Sequence, residues 1–187
     1  MSTSKTEICN RALQIVGSPR IMNITDNNKR AAACRTAYDP VRKRLLAEFA
    51  WGFAQKRATL VQDATVPDWG FGGSYGLPVD FLSLTEVYNR GTYEANIEGR
   101  FLVTDMTTVK IRYTADIEDT GLFDALFAEY LSTVIAFEIV EELTQSNTKK
   151  DMIFNQMKTL GKKARSIYSR QKSSRKLETT SWVKERY

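Results

Sequence analysis

The sequence predicts an α+β fold: mainly an α-helical bundle of about four helices, with a small antiparallel β-rich insertion. Three observations predict it. Apolar residues recur every three or four positions toward both ends of the chain. Short β-like segments separated by turn residues fill the middle. The chain has 187 residues, 42% of them hydrophobic and 26% charged. That suits one domain carrying an insertion and able to bury its own core.

Ser4-Lys5-Thr6-Glu7 has the form of a capping box. Ile8, Ala12, Ile15 and Val16 follow at helical spacing, and Gly17 and Pro19 stop the helix. Asp26 is the expected cap of a second helix, whose stripe is Ala31, Cys34, Tyr38, Val41, Leu45 and Phe49. Pro40 lies inside this stripe, so the run is one kinked helix or two that abut at Tyr38-Asp39. Trp51 and Phe53 end the helix, with core packing as their expected role.

Residues 62–80 hold four of the ten glycines and two of the four prolines, and read as a long loop. Four strand-like segments follow: 81–88, 92–97, 100–104 and 109–113. In the last, Val109, Ile111 and Tyr113 alternate with Lys110 and Arg112, which gives one dry face. Together they read as a small antiparallel meander. Asp119 to Gly121 form the expected lead-in and cap of a central helix over 122–143, which is apolar nearly all round. A last helix carries Ile153, Met157, Leu160, Ala164 and Ile167 and ends its stripe at Tyr168. Beyond it a basic arm lacks an apolar face. The expected organisation is therefore 1–60 as the first part of the bundle, 61–119 as the loop and β-rich insertion, 120–177 as the second part, and 178–187 as a C-terminal arm.

Composition excludes several chemistries. Without a histidine there is no Ser-His-Asp or Cys-His catalysis, no imidazole-ligated metal and no histidine switch. The two cysteines, Cys9 and Cys34, cannot build a four-thiolate zinc site, and they read as reduced, half-buried thiols. Residues 70–76 look phosphate-binding at a glance. They miss the dinucleotide pattern, because position 75 is tyrosine, and no Lys-Ser/Thr follows; a mobile loop is the expectation. Glu141 and Glu142 diverge by about 100° on a helix and face no common substrate. Asp116, Glu118 and Asp119 lack calcium-loop spacing. No cofactor and no enzymatic activity is expected. The N-terminal segment reads as no signal peptide, and the apolar run from Leu122 is interrupted by acids and reads as a buried helix, not a membrane span.

Charge is segregated. Residues 1–60 hold 11 Lys/Arg and 4 Asp/Glu; 61–148 hold 4 and 15; 149–187 hold 12 and 3. The balances of +7, −11 and +9 sum to the net charge of +5. Such blocks set up separated fields for docking. Two candidate partner-binding regions follow. One is the glycine-rich loop with Trp69, Phe71 and Tyr75, aromatics that either contact a partner or fold back over the insertion. The other is the arm, with Arg170, Lys172, Arg175 and Lys176 for steering and Trp182 and Tyr187 as anchors.

Residues 32–42 (Ala-Ala-Cys-Arg-Thr-Ala-Tyr-Asp-Pro-Val-Arg), 49–54 (Phe-Ala-Trp-Gly-Phe-Ala) and Arg57-Ala58-Thr59-Leu60 resemble the head-to-tail adaptor family of short-tailed bacteriophages, the tail tubular protein A family. Leu77-Pro78-Val79-Asp80-Phe81, Ile97-Glu98-Gly99-Arg100, Ile111-Arg112-Tyr113 and Leu122-Phe123-Asp124-Ala125 extend the resemblance over residues 6–145. Gly52 stands where many relatives carry asparagine, and the basic arm matches no family pattern. The resemblance implies a helical bundle with a β-rich insertion and a structural role in the virion neck. It implies a homo-oligomeric ring, usually a dodecamer, that docks under the portal protein, extends the DNA channel and anchors the tail nozzle protein. Double-stranded DNA passes through without sequence-specific binding, and no membrane is involved. On this basis the arm's expected partner is the portal. The alternative is a basic nucleic-acid-binding module using Arg42-Lys43-Arg44 and residues 165–176 on phosphate, with a steep salt dependence.

Overall fold

Helix α1 (Lys5–Val16) starts where Ser4 and Glu7 close the capping box: Ser4 Oγ accepts from the Glu7 N–H at 3.1 Å, and Glu7 Oε2 accepts from the Ser4 N–H at 2.7 Å. It ends at Gly17, whose φ of +78° is left-handed; the N–H of Ser18 returns to the Leu13 carbonyl at 2.9 Å. In this computed structural model residues 4–171 are described. They form four helices and two three-stranded antiparallel sheets, a mixed α+β fold.

Asp26 does not cap the second helix. Its carboxylate is already used, accepting from the N–H groups of Met22 and Asn23, both at 3.0 Å. Asn28 caps α2 (Lys29–Glu48) instead, accepting from the Ala31 N–H at 2.9 Å. The intervening loop is pinned by Asn10, whose side-chain amide makes both bonds to the backbone of Ile21, at 2.8 and 3.0 Å. Helix α2 runs through Pro40 as one element. Cys9 and Cys34 face each other between α1 and α2 and are fully rather than half buried. The hydrogen bond to Cys34, together with burial, pushes the Cys9 thiol up.

The most consequential side chain of α2 is Arg42, which is 0% exposed. Its guanidinium donates to the Asp116 carboxylate and, at 2.6 Å, to the carbonyl of Ile117. Asp39 lies 3.4 Å from Nε, and Lys43 reaches Asp116 at 3.3 Å. This network joins α2 to the segment that leaves the β-rich part of the chain.

Residues 55–60, expected within the first helical part, form strand β1 (Gln55–Leu60). It pairs with β6 (Val109–Ala115), which also pairs with β3 (Phe81–Val87). The second sheet has β5 (Phe101–Thr104) between β2 (Gly73–Gly76) and β4 (Ala95–Glu98). The arrangement is not a meander: of the named strands, only β4 and β5 pair with their sequence neighbour. Residues 92–94 also fall outside β4, where the Tyr93 N–H closes a turn onto the Arg90 carbonyl at 3.1 Å. Along β6, Val109, Ile111 and Tyr113 are buried and Lys110 is exposed, as the alternation predicts.

Asp80 joins the two outer ends of the first sheet. Lys56 donates to it at 2.7 Å and the Tyr113 hydroxyl at 3.0 Å. Burial opposes ionisation of Asp80, but these two donors outweigh it and hold the carboxyl below its usual range. Burial and the same carboxylate push the Tyr113 hydroxyl up to about 12.

Asp119 caps only a 3-10 turn over Thr120–Leu122, accepting from the Gly121 N–H at 2.8 Å. The central helix α3 (Ala125–Thr144) starts three residues later than expected, because Asp124 accepts from the Phe127 N–H at 2.7 Å. Helix α3 packs against α1, α2 and α4 (Asn147–Gln171). Long cations serve helix ends: Lys149 donates to the Val16 carbonyl at 3.1 Å, and Lys29 to the Glu142 carbonyl at 2.9 Å. Where α2, α3 and α4 meet, Trp51 is 0% exposed; its ring meets Phe127 at 4.8 Å and Tyr168 at 4.7 Å, both edge-on. Its indole N–H donates to the Leu45 carbonyl at 2.7 Å. A Cβ on Gly52 would meet nothing within 4 Å, so this position accepts a larger side chain.

Arg42→Met is expected to lower the unfolding free energy by about 3 kcal/mol in urea titration, since it leaves the Ile117 carbonyl without its donor and Asp116 with Lys43 alone. Adding Asp116→Asn recovers part of the loss. The Asp80 contribution has a defined sign. Its folded pKa is lowered, so its stabilisation is present above the unfolded value, about 4, and is lost as pH falls through the folded value. The stability gap between wild type and Asp80→Asn is therefore expected to be largest near neutral pH and to close in acid. A gap that widens in acid contradicts this.

Candidate functional site

The glycine-rich segment divides in two. Gly73 to Gly76 are strand β2, not loop. The strand's two-residue period and its register turn Tyr75 to the same side as Leu102, into the core. Tyr75 is 2% exposed and its hydroxyl donates to the Met106 carbonyl. The ring lies so close to the backbone that a Cβ on Gly73 would fall 2.9 Å from it. Tyr75 is thus a core residue of the sheet and offers no free surface, contrary to its expected place on a loop.

Trp69 is different. It is 86% exposed, beside Gly70 at φ +94°, and Phe71 is half-buried. Asp105 accepts from the Gly72 N–H at 2.7 Å and anchors the end of the loop. Val61 and Val66 are also exposed, as is Asp68. The loop over residues 61–72 therefore projects an indole flanked by a carboxylate. Of the arm residues, Arg170 lies in the last turn of α4. Lys172, Arg175, Lys176, Trp182 and Tyr187 lie outside the described residues.

Of the basic residues offered as phosphate ligands, those with described ion pairs are held within the chain. Arg42 is buried, Arg44 pairs with Glu138 at 2.9 Å, and Arg165 with Glu48 at 3.0 Å. A second cationic surface was missed from sequence. On the outer face of the first sheet, the register sets Arg57 directly opposite Arg112, and Thr59 opposite Lys110. Glu86 holds Arg112 at 2.8 Å, and Tyr88, 63% exposed, lies beside Lys110, to whose carbonyl its N–H donates at 2.8 Å. These residues line an open hollow of about 620 Å³. The Lys110/Arg112 alternation announced a wet face. Only the unrecognised strand β1 brings Arg57 onto it.

Among the described residues, no group of three or more His, Cys, Asp or Glu side chains is placed to hold a metal ion. No helix among them is long and apolar enough to cross a membrane.

Trp69 and Tyr75 are expected to separate on substitution. Trp69→Ala should change unfolding free energy by no more than about 0.5 kcal/mol, as exposed sites do. Tyr75→Phe should cost about 1–2 kcal/mol through the unsatisfied Met106 carbonyl. Thermal melts of the two variants check this; equal losses would place both side chains in the core.

The chain matches no family model, and no curated protein is found to resemble it.

Proposed function

We propose that this chain is a head-to-tail adaptor of a short-tailed bacteriophage, a structural protein of the virion neck and not an enzyme. The observation that carries the proposal is the ordered resemblance across residues 6–145. Its helices form the bundle of that architecture, and residues 55–115 form the β-rich insertion. Copies assemble as a ring, a dodecamer, under the portal. The ring extends the DNA channel and anchors the tail nozzle, and DNA passes without sequence-specific contact.

The described residues support this in two ways. Positions that carry the resemblance do architectural work: Trp51 centres the aromatic cluster, Asp80 ties two strand ends, and Asp124 caps α3. A ring subunit also needs surfaces for neighbours, and the loop at Trp69 presents one. The basic helices give the nucleic-acid alternative less to work with, because Arg42, Arg44 and Arg165 are held by carboxylates of the same chain.

Alone and dilute, the protein is expected to sediment as a 21.3 kDa monomer, since its core is internal; self-association appears only at high concentration. With purified portal it should be recovered as a ring on the portal. Isolated subunits only, seen by cryo-microscopy of portal–tail complexes, would overturn the adaptor function. Salt-sensitive DNA binding without portal attachment would favour the alternative.

A further inference from the structure

We propose that the cationic face of the β1-β6-β3 sheet receives the acidic, tryptophan-bearing loop of a second copy of this chain. The ring as its setting rests on the proposed function; the contact itself rests on the residues that follow.

The face holds three cations, Arg57, Lys110 and Arg112, against one carboxylate, Glu86, an excess of two positive charges. Arg57 directly faces Arg112 across the strands. Like charges in that position repel; Glu86 offsets part of this at Arg112, and an incoming anion neutralises the remaining excess. The hollow of about 620 Å³ is open, and Tyr88 at its edge is 63% exposed. The loop supplies the complement. Asp68 is exposed beside Trp69, which is 86% exposed, and Val66 adds apolar surface at 47%. An indole so exposed is not seated on its own subunit. The two complementary patches therefore meet between copies. A contact between unlike patches of identical chains is head-to-tail, the kind that generates a ring when its rotation closes.

A nucleic-acid strand fits the face less well. Three strands span only about 10 Å, and the track does not extend along β1, because Lys56 lies on the opposite face of the strand, paired with Asp80. Trp69 needs a pocket, which a concave protein face provides.

Zero-length carbodiimide coupling tests the contact, because it joins a lysine amine to a touching carboxylate. An equal mixture of isotope-labelled and unlabelled full-length chains is coupled at high concentration, and the products are mapped by mass spectrometry. An inter-chain Lys110–Asp68 link is expected. In sedimentation at the same high concentration, Arg57→Glu and Asp68→Lys should each weaken self-association by about tenfold or more, and mixing the two variants should restore it. Links confined to one chain, no link, or variants that associate like wild type would overturn the contact. So would loss of DNA-duplex binding in Arg57→Glu with self-association intact, which would make the face a nucleic-acid surface. The two proposals fail separately. Normal rings on portal with Arg57→Glu remove this contact and leave the adaptor standing. A Lys110–Asp68 link without portal rings does the reverse.

Discussion

The guanidinium of Arg42 sets the relation between the two halves of the molecule. It has no solvent to fall back on, so its donors must find oxygen within the protein. Asp116 and the Ile117 carbonyl provide it. Both belong to the short segment between β6 and α3. A buried charge tolerates little displacement, so this segment is held against α2 at one place. Asp119 and Asp124 then start the turn and α3 from that fixed point. Helix α3 in turn is the surface on which α1, α2 and α4 pack. The order of dependence thus runs from one cation to a linker, to a central helix, and from there to the rest of the helical layer.

What could be read from the sequence was local. The Ser4–Glu7 box, the Gly17 stop, the alternation along β6 and the α4 stripe each involve residues within a turn or two, and each stands where its pattern puts it. The features that escaped depend on partners far along the chain. Residues 55–60 offer only Ala58 and Leu60 as an inward pair, and they become a strand because β6 lies beside them. Asp26 and Asn28 are both sound caps by type; the loop's need for an acceptor decided between them. The candidate site divides in the same way. Trp69, Phe71 and Tyr75 look alike in a glycine-rich stretch. Pairing with β5, some thirty residues on, buries one and leaves another in water. The cationic face has no motif at all, because its cations come together only through register.

The segregated charge takes on a physical meaning in the folded chain. Part of the N-terminal and C-terminal basic character is neutralised where it meets the acidic middle: Arg42 with Asp116, Arg44 with Glu138, Lys56 with Asp80, Lys150 with Glu141. The exposed pairs contribute little to stability individually, but they leave fewer free cations on the helices. On the outer face of the first sheet an excess of two positive charges remains, where a rigid backbone fixes the spacing of the side chains. That is a better setting for selecting a partner than a set of long side chains on a helix surface.

Strands β1 and β6 pair along their whole matched length, from Gln55 opposite Thr114 to Leu60 opposite Val109. The chain therefore leaves the helical layer and returns to it at neighbouring points, like a cord looped through one eyelet. The β2-β5-β4 sheet and the loops around it are carried by that double-stranded neck together with β3, which pairs with its β6 edge. The outer loops and the second sheet can therefore be lengthened, trimmed or reshaped without altering the spacing of α2 and α3. A single helical chassis can thereby be refitted to differently shaped neighbours while its interior goes unrevised.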